Sequence, residues 1–198
     1  MKQLALFLVI AGGMEASTLT GCDADPANLV QNCGFETGDF QSWTPGGDTS
    51  SIFVGNFNWN SGAYDAIFSF MFTGSEDFST GPALSQSFAT DAGGSYVLSY
   101  ELSDLSSDPN GFQALWNGSV IPGSAVVNAG DFGYTLYQFT VVGTGSDTLQ
   151  FQSYQDDLSD WFLDDVTLDK TGVPEPSPLL LMTGGFAALG VLRRKFSR

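Results

Sequence analysis

Apolar residues along the middle of the chain recur at every second position rather than every third or fourth. In "SYVLSYEL" Tyr96, Leu98, Tyr100 and Leu102 share one face; in "LYQFTVV" Tyr137, Phe139 and Val141 do. "TLQFQSY" sets Leu149 and Phe151 against Gln150 and Gln152, and "AIFSFMFTG" aligns Phe68, Phe70 and Phe72. This alternation is the signature of half-buried strands. Clusters of Gly, Pro, Asn and Asp separate the runs: "TPGGD", "NWNSG", "DAGG", "SDPNG", "AGDFG" and "GTGSD". Within "FQALWNGSVI", Asn117-Gly118 predicts a tight hairpin, because both central positions of that turn need positive φ. Roughly eight to ten short strands at this spacing predict an all-β antiparallel sandwich.

Composition sharpens the picture. With 17 Phe, 6 Tyr and 4 Trp the chain has the apolar area for a real core despite 24 Gly. It carries 22 acidic and 6 basic residues, no histidine, and no Lys or Arg between Gln3 and Asp169. Nucleic acid and anionic lipid are recognised by Lys and Arg that neutralise phosphates, so the body excludes nucleic acid as a partner.

The two ends differ from the body. The opening "MKQLALFLVIAGGMEASTLTGC" has Lys2 before a short apolar run and then small residues, the pattern of a secretory signal peptide over 1–16, cut after Ala16 or nearby. Cys22 and Cys33 are the only cysteines, and in a secreted protein they most simply form a disulfide, worth about 3 kcal/mol by loop closure. "LTGC" also fits a lipoprotein box, in which Cys22 would be lipidated instead. At the other end, residues 171–178 are a Pro-rich linker that cannot continue a sheet, with the domain, 17–170, ending near Lys170. Residues 179–192 carry no charge; as a helix they cover about 21 Å, against a hydrocarbon core of about 30 Å. The basic segment 193–198 would hold its end on the cytoplasmic side.

Val173-Pro174-Glu175-Pro176, the apolar stretch and terminal Arg193-Arg194-Lys195 together resemble the PEP-CTERM sorting signal. The resemblance implies a partner, an exosortase that recognises and cuts the tail, transient membrane engagement through a single apolar helix, and a cell-surface or matrix destination in a Gram-negative bacterium that makes extracellular polysaccharide and biofilm. A plain tail anchor is the alternative.

In the body, "NLVQNCGFETGDFQSW" (Asn28 to Trp43) resembles the opening strand of jelly-roll, galactose-binding-like carbohydrate-binding modules, and "WFLDDVTL" (Trp161 to Leu168) resembles their last strand. "LSQSFATDAGGSYVLSYEL" and "FQALWNGSVI" resemble middle strands seen in PEP-CTERM surface proteins. In that module family the two terminal strands share a structural calcium. Carried over, its ligands would be Glu36, Asp164 or Asp165, and the carbonyl of Gly34. Six to eight oxygens suit Ca²⁺, and the ion would relieve carboxylate repulsion. The plainer alternative is that Asp164 and Asp165 straddle an edge strand and satisfy backbone donors.

Catalytic chemistry is sparse. Without histidine, or any Lys or Arg in the body, there is no His-based acid–base pair, Schiff base or phosphate clamp. A pair of carboxylates acting on a glycosidic bond is the enzyme reading that remains. Sugar binding needs aromatic faces flanked by hydrogen-bonding side chains. Trp59 and Tyr64 in "GNFNWNSGAYD", and Trp116 beside the hairpin turn, are the candidates, while Trp43 and Trp161 read as core. The expectation is a non-catalytic carbohydrate-binding or adhesive domain; a matrix protein without a sugar site and a glycoside hydrolase are the alternatives.

Overall fold

The computed structural model describes residues 21–56, 64–69, 77–105, 109–155 and 160–171. They form eleven strands: β1 (Thr44–Gly47), β2 (Ile52–Gly55), β3 (Asp65–Ser69), β4 (Pro82–Ala89), β5 (Ser95–Leu105), β6 (Asn110–Trp116), β7 (Ser119–Val120), β8 (Val126–Val127), β9 (Phe132–Val142), β10 (Ser146–Gln155) and β11 (Asp160–Lys170). The helical pieces among the described residues are two 3-10 turns, Gly21–Ala24 and Thr49–Ser51. The chain is an antiparallel sandwich. One sheet runs β1-β4-β10-β6-β7, with β8 also on β6; the other runs β2-β3-β11-β5-β9. The apolar helix expected over 179–192 and the sorting motif lie outside the described residues.

The alternation in sequence becomes the core. Tyr96, Leu98, Tyr100 and Leu102 of β5 are buried, as are Leu149 and Phe151 of β10. Aromatic rings join the sheets: Tyr100 meets Phe151 at 5.0 Å and Phe112 meets Trp161 at 5.5 Å; Trp43, just before β1, packs on Phe151 at 6.2 Å. Each such pair adds about 0.5–1.5 kcal/mol beyond its buried area. Asn117 (φ 52) and Gly118 (φ 75) make the turn from β6 to β7.

Two expectations need correction. The segment Asn28 to Trp43 is not a regular opening strand. Positive φ at Asn32 (51), Phe35 (56), Gly38 (75) and Ser42 (69) breaks it into turns, and the Asn32 amide bonds the Asp39 and Gln41 carbonyls. It still meets the last strand: Leu29 N–H donates to Leu168 O and Val166 N–H to Cys33 O. It takes up the edge of β11 where β3, paired only to Asp160–Leu163, has ended. Nor is Asp164-Asp165 on an edge strand, since β11 lies third of five.

At the far end of β10, Asp147 is buried and gathers donors from three loops. Thr90 Oγ1, Asn117 Nδ2, Thr144 N and Thr144 Oγ1 all donate to it. Burial pushes its carboxyl up, but these bonds outweigh it and hold it at about 2, below the ordinary 3.8. A depressed folded value favours the folded state above the ordinary value and loses that advantage as pH falls toward about 2. Asp147→Ala should cost roughly 1–2 kcal/mol after allowing for solvent screening, or about 3–8 °C in melting temperature. Scanning calorimetry between pH 2 and pH 6 should show the variant's deficit shrinking at the acid end.

Candidate functional site

Acidic side chains from three parts of the chain meet where β11 changes its pairing. Glu36 follows the turns of the N-terminal segment, Asp65 opens β3, and Asp164 and Asp165 sit at a bulge in β11 between Asp164 and Thr167. Asp165 has φ 47, which turns the backbone there. Asp164 is 1% exposed and Asp65 3%, although both face outward from the five-stranded sheet. The N-terminal backbone closes over them: a Cβ on Gly34 would sit 3.5 Å from Asp164 Oδ1 and 3.7 Å from Asp165 Oδ1, and one on Gly21 would sit 3.4 Å from Asp165 Oδ1.

The Cys22–Cys33 disulfide holds this segment in place. Cys33 N–H donates to Asp23 Oδ1 beside it. Cys22, Asp23 and Cys33 are the one group of three metal-capable side chains within 4.8 Å of one another among the described residues, but both sulfurs are spent on the disulfide.

The electrostatics follow from burial without a base. Burial first, then the charge of Asp165, pushes Asp164 up to about 8, against a bond from Asp165 N–H; Asp65 and Glu36 add to the rise. Burial also raises Asp65, with Glu36 and Asp165 adding to it and the hydrogen bond from Tyr134 opposing it. Lys170 is the only Lys or Arg among the described residues, and it pairs with Asp91. Carboxylates and carbonyls are the right donor type for a hard divalent cation such as Ca²⁺, but no three of these carboxylates bring their oxygens within 4.8 Å of one another, so an ion would have to draw them together. Glu36, Asp164, Asp165 and the Gly34 backbone are the residues that would hold it.

Next to these acids the sheet offers a trough. Tyr134 of β9 donates its hydroxyl to Asp65 of β3 across β5 and β11. Three strand spacings are about 14 Å in a flat sheet, so the sheet curls toward its outer face here. Beneath this bond Ser103, Phe162 and Ile67 are only 4%, 1% and 0% exposed, so the trough is closed over them, while Phe53 is 37% exposed at one side. A cavity of about 300 Å³ opens at the Tyr134 end beside Ser103, Leu105, Asp131 and Gly133. A larger groove, about 560 Å³, runs along β4 on the other sheet. Its polar groups are committed to the frame: Gln86 bonds both N–H and C=O of Gln31, Ser42 donates to Gln31 Oε1, and Ser87 bonds Thr148. The trough is therefore the better ligand site.

The aromatic candidates fall in different places. Tyr64 adjoins Asp65: its N–H donates to Glu36 Oε1 at 3.3 Å, and its ring lies 3.5 Å from where a Cβ on Gly38 would sit. Trp116 is on the other sheet, stacked on Phe88 at 6.3 Å and donating Nε1 to Val142 O, so it packs rather than projects. Trp59 lies outside the described residues. Trp43 and Trp161 are buried in the core. Asp65 and Tyr134 escaped the sequence reading. The signal for Tyr134 was its place out of phase with Tyr137 and Phe139, which puts it on the outer face.

No protein-family model matches the chain, and no curated protein does. Solved structures do. A CBM61 module in complex with β-1,4-galactotriose superposes with TM-score 0.53 at 20% identity, over 73% of this chain and 99% of that one. The CBM22-1–GH10 modules of Clostridium thermocellum xylanase 10B, complexed with xylohexaose, give 0.53 at 16% identity, over 73% of this chain and 29% of that one. The CBM22-1 xylan-binding domain of Paenibacillus barcinonensis Xyn10C gives 0.50 at 16%, over 69% and 90%. The fold is that of these carbohydrate-binding modules, a two-sheet antiparallel jelly roll.

The Tyr134–Asp65 bond braces this face. Tyr134→Phe removes the donor and leaves a buried carboxylate short of a partner, a loss of about 1–3 kcal/mol. Urea unfolding should show a lower midpoint with an unchanged m-value; an unchanged midpoint would mean the bond is not holding the sheet's curl.

Proposed function

We propose that this domain is a non-catalytic carbohydrate-binding module that holds a neutral glycan in the trough of the five-stranded sheet. The observation that carries the reading is the cavity beside Tyr134, whose hydroxyl is held by Asp65 on the face that carries the acids. Carboxylates accept from sugar hydroxyls, and aromatic and aliphatic surface covers the ring faces. The acids would repel a polyanionic glycan, so a neutral one is favoured. Its relatives in fold were solved with galactotriose and xylohexaose, which supports the class of ligand. Tyr134 and Tyr64 would contact the sugar, and Asp65, buried beneath, would hold the Tyr134 hydroxyl in place. Full-length protein should bind a neutral oligosaccharide on a glycan array and release it uncleaved. Asp65→Ala should weaken that binding at least tenfold, corresponding to the roughly 1.4 kcal/mol or more of one charge-assisted hydrogen bond. Undiminished binding by Asp65→Ala would move the site elsewhere, and shortened product chains would point to the hydrolase reading.

A structural calcium at Glu36, Asp164, Asp165 and the Gly34 carbonyl belongs to the same proposal. It would offset the repulsion at the β11 bulge and fix the wall of the trough. At 100 times its dissociation constant the ion adds about 2.7 kcal/mol, roughly 5–10 °C in melting temperature for a domain of this size. Melting in EDTA and then in millimolar Ca²⁺ should show that rise. Glu36→Gln should remove most of it; equal melting in both buffers would exclude the ion.

We further infer export to the cell surface, with the tail at Val173 to Pro176 as the exosortase signal. The disulfide supports an oxidising compartment.

A further inference from the structure

Each sheet of an open sandwich ends in strands with unpaired N–H and C=O groups, and proteins blunt them with short strands, prolines or lysines. Among the described residues, three of the four edges are blunted. β7 has two residues, β2 has four, and β1 has four, one of them Pro45 and two of them glycines. The fourth is different. β9 is 11 residues long, FGYTLYQFTVV, with no proline and no charge; its one strand partner is β5, and only at its C-terminal end is a carbonyl, that of Val142, taken by Trp116 Nε1. Its outward side chains are uncovered, Leu136 being 61% and Val142 57% exposed. In a chain of net charge −16 this is a long neutral strip rich in aromatic and β-branched residues, the types that pair best across strands.

We propose that the free edge of β9 is a self-association surface, on which a second copy of this chain adds its own β9 in antiparallel, two-fold fashion. The occupant follows from charge and symmetry. Two copies carrying −16 each repel almost everywhere, and the neutral edge is where their backbones can meet without opposing carboxylates. Antiparallel pairing of identical strands closes on itself as a dimer, leaving no further long edge to propagate. The contact is about 37 Å long and roughly 10 Å thick, near 400 Å² per copy, half of the roughly 800 Å² typical of a stable partner. The dimer is therefore weak, and salt strengthens it by screening the repulsion between the two bodies.

Sedimentation equilibrium of the full chain at rising concentration, in low and high salt, tests this. The wild type should pass from monomer to dimer, with Kd roughly tenfold tighter at 0.5 M than at 0.05 M salt. The double variant Gln138→Lys/Thr140→Lys should stay monomeric. It lowers the net negative charge, so a purely electrostatic account predicts the opposite, tighter association. Ser119→Lys, on the short edge of the other sheet, should dimerise like the wild type. Hydrogen exchange of the wild type covers the case in which the double variant misfolds: β9 amides should gain protection on going from dilute to concentrated protein, while those of β1 and β2 should not. A wild type that stays monomeric throughout, association undiminished in a folded double variant, or unchanged β9 exchange in the associated state would each overturn the proposal.

Discussion

The molecule is organised around one awkward place: the bulge in β11 where acidic side chains are crowded together, while Lys170, the one Lys or Arg among the described residues, pairs elsewhere with Asp91. Asp164 is fully buried on the third strand of five, with Asp165, Asp65 and Glu36 around it. A lone buried carboxylate is expensive, and several together more so. The fold meets the difficulty with a proton held on Asp164 to about pH 8, with the Asp165 N–H, and with the Tyr134 hydroxyl on Asp65. A divalent ion would answer it more completely than any of these, because it compensates the acids without protonating them. The surroundings fit that role. The disulfide and the bond from Val166 N–H to Cys33 O pin a segment that has no regular strand geometry of its own. Together with the bonds of Asn28 and Leu29 to β11, those ties keep Gly34 against the carboxylates.

The same place shapes the outer face. The tyrosine that reaches Asp65 belongs to β9, at the far side of the sheet, so compensating one acid also draws β9 toward β3. The inner face tolerates the bend because its aromatic rings meet at varied angles, from stacked Tyr100–Tyr137 to edge-on Tyr100–Phe151. The trough is thus a consequence of how the acids are satisfied, and the proposed cation position and the proposed ligand face are neighbours for that reason.

Much of this was legible as pattern. Alternation named the buried faces of β5 and β10, and Asn117-Gly118 named a hairpin. Other features were out of reach for physical reasons. The Asn28–Trp43 segment looked extended because its apolar residues suit a strand; what breaks it is positive φ at Asn32, Phe35 and Ser42, and Phe35 and Ser42 give no local sign of that preference. The pairing of Asp164-Asp165 with Glu36 came from resemblance between motifs. Asp65 joined them only through sheet order, which no local window contains. Trp116 was misleading because a tryptophan beside a turn looks exposed, whereas here it stacks on Phe88.

Charge placement connects the proposed activities. Acids dominate the body, yet the strip of β9 is neutral and the trough collects buried acids under a tyrosine. A polyanion of this kind stays apart from its copies and from anionic polymers at low ionic strength. Divalent cations would act on it twice. Bound at the β11 bulge, they would set the wall of the trough; screening the surface, they would let two β9 edges approach. Glycan binding and self-association then answer to the same ion while using opposite properties of one sheet. The trough relies on gathered charge at β3 and β11, and the edge relies on its absence at β9. Two weak sugar sites held on one dimer would grip a repeating polymer far more tightly than either alone, provided their spacing matches the chain. With one proposed sugar site per copy, that gain would give the long β9 edge a reason to stay open where, among the described residues, the other three edges are short or interrupted.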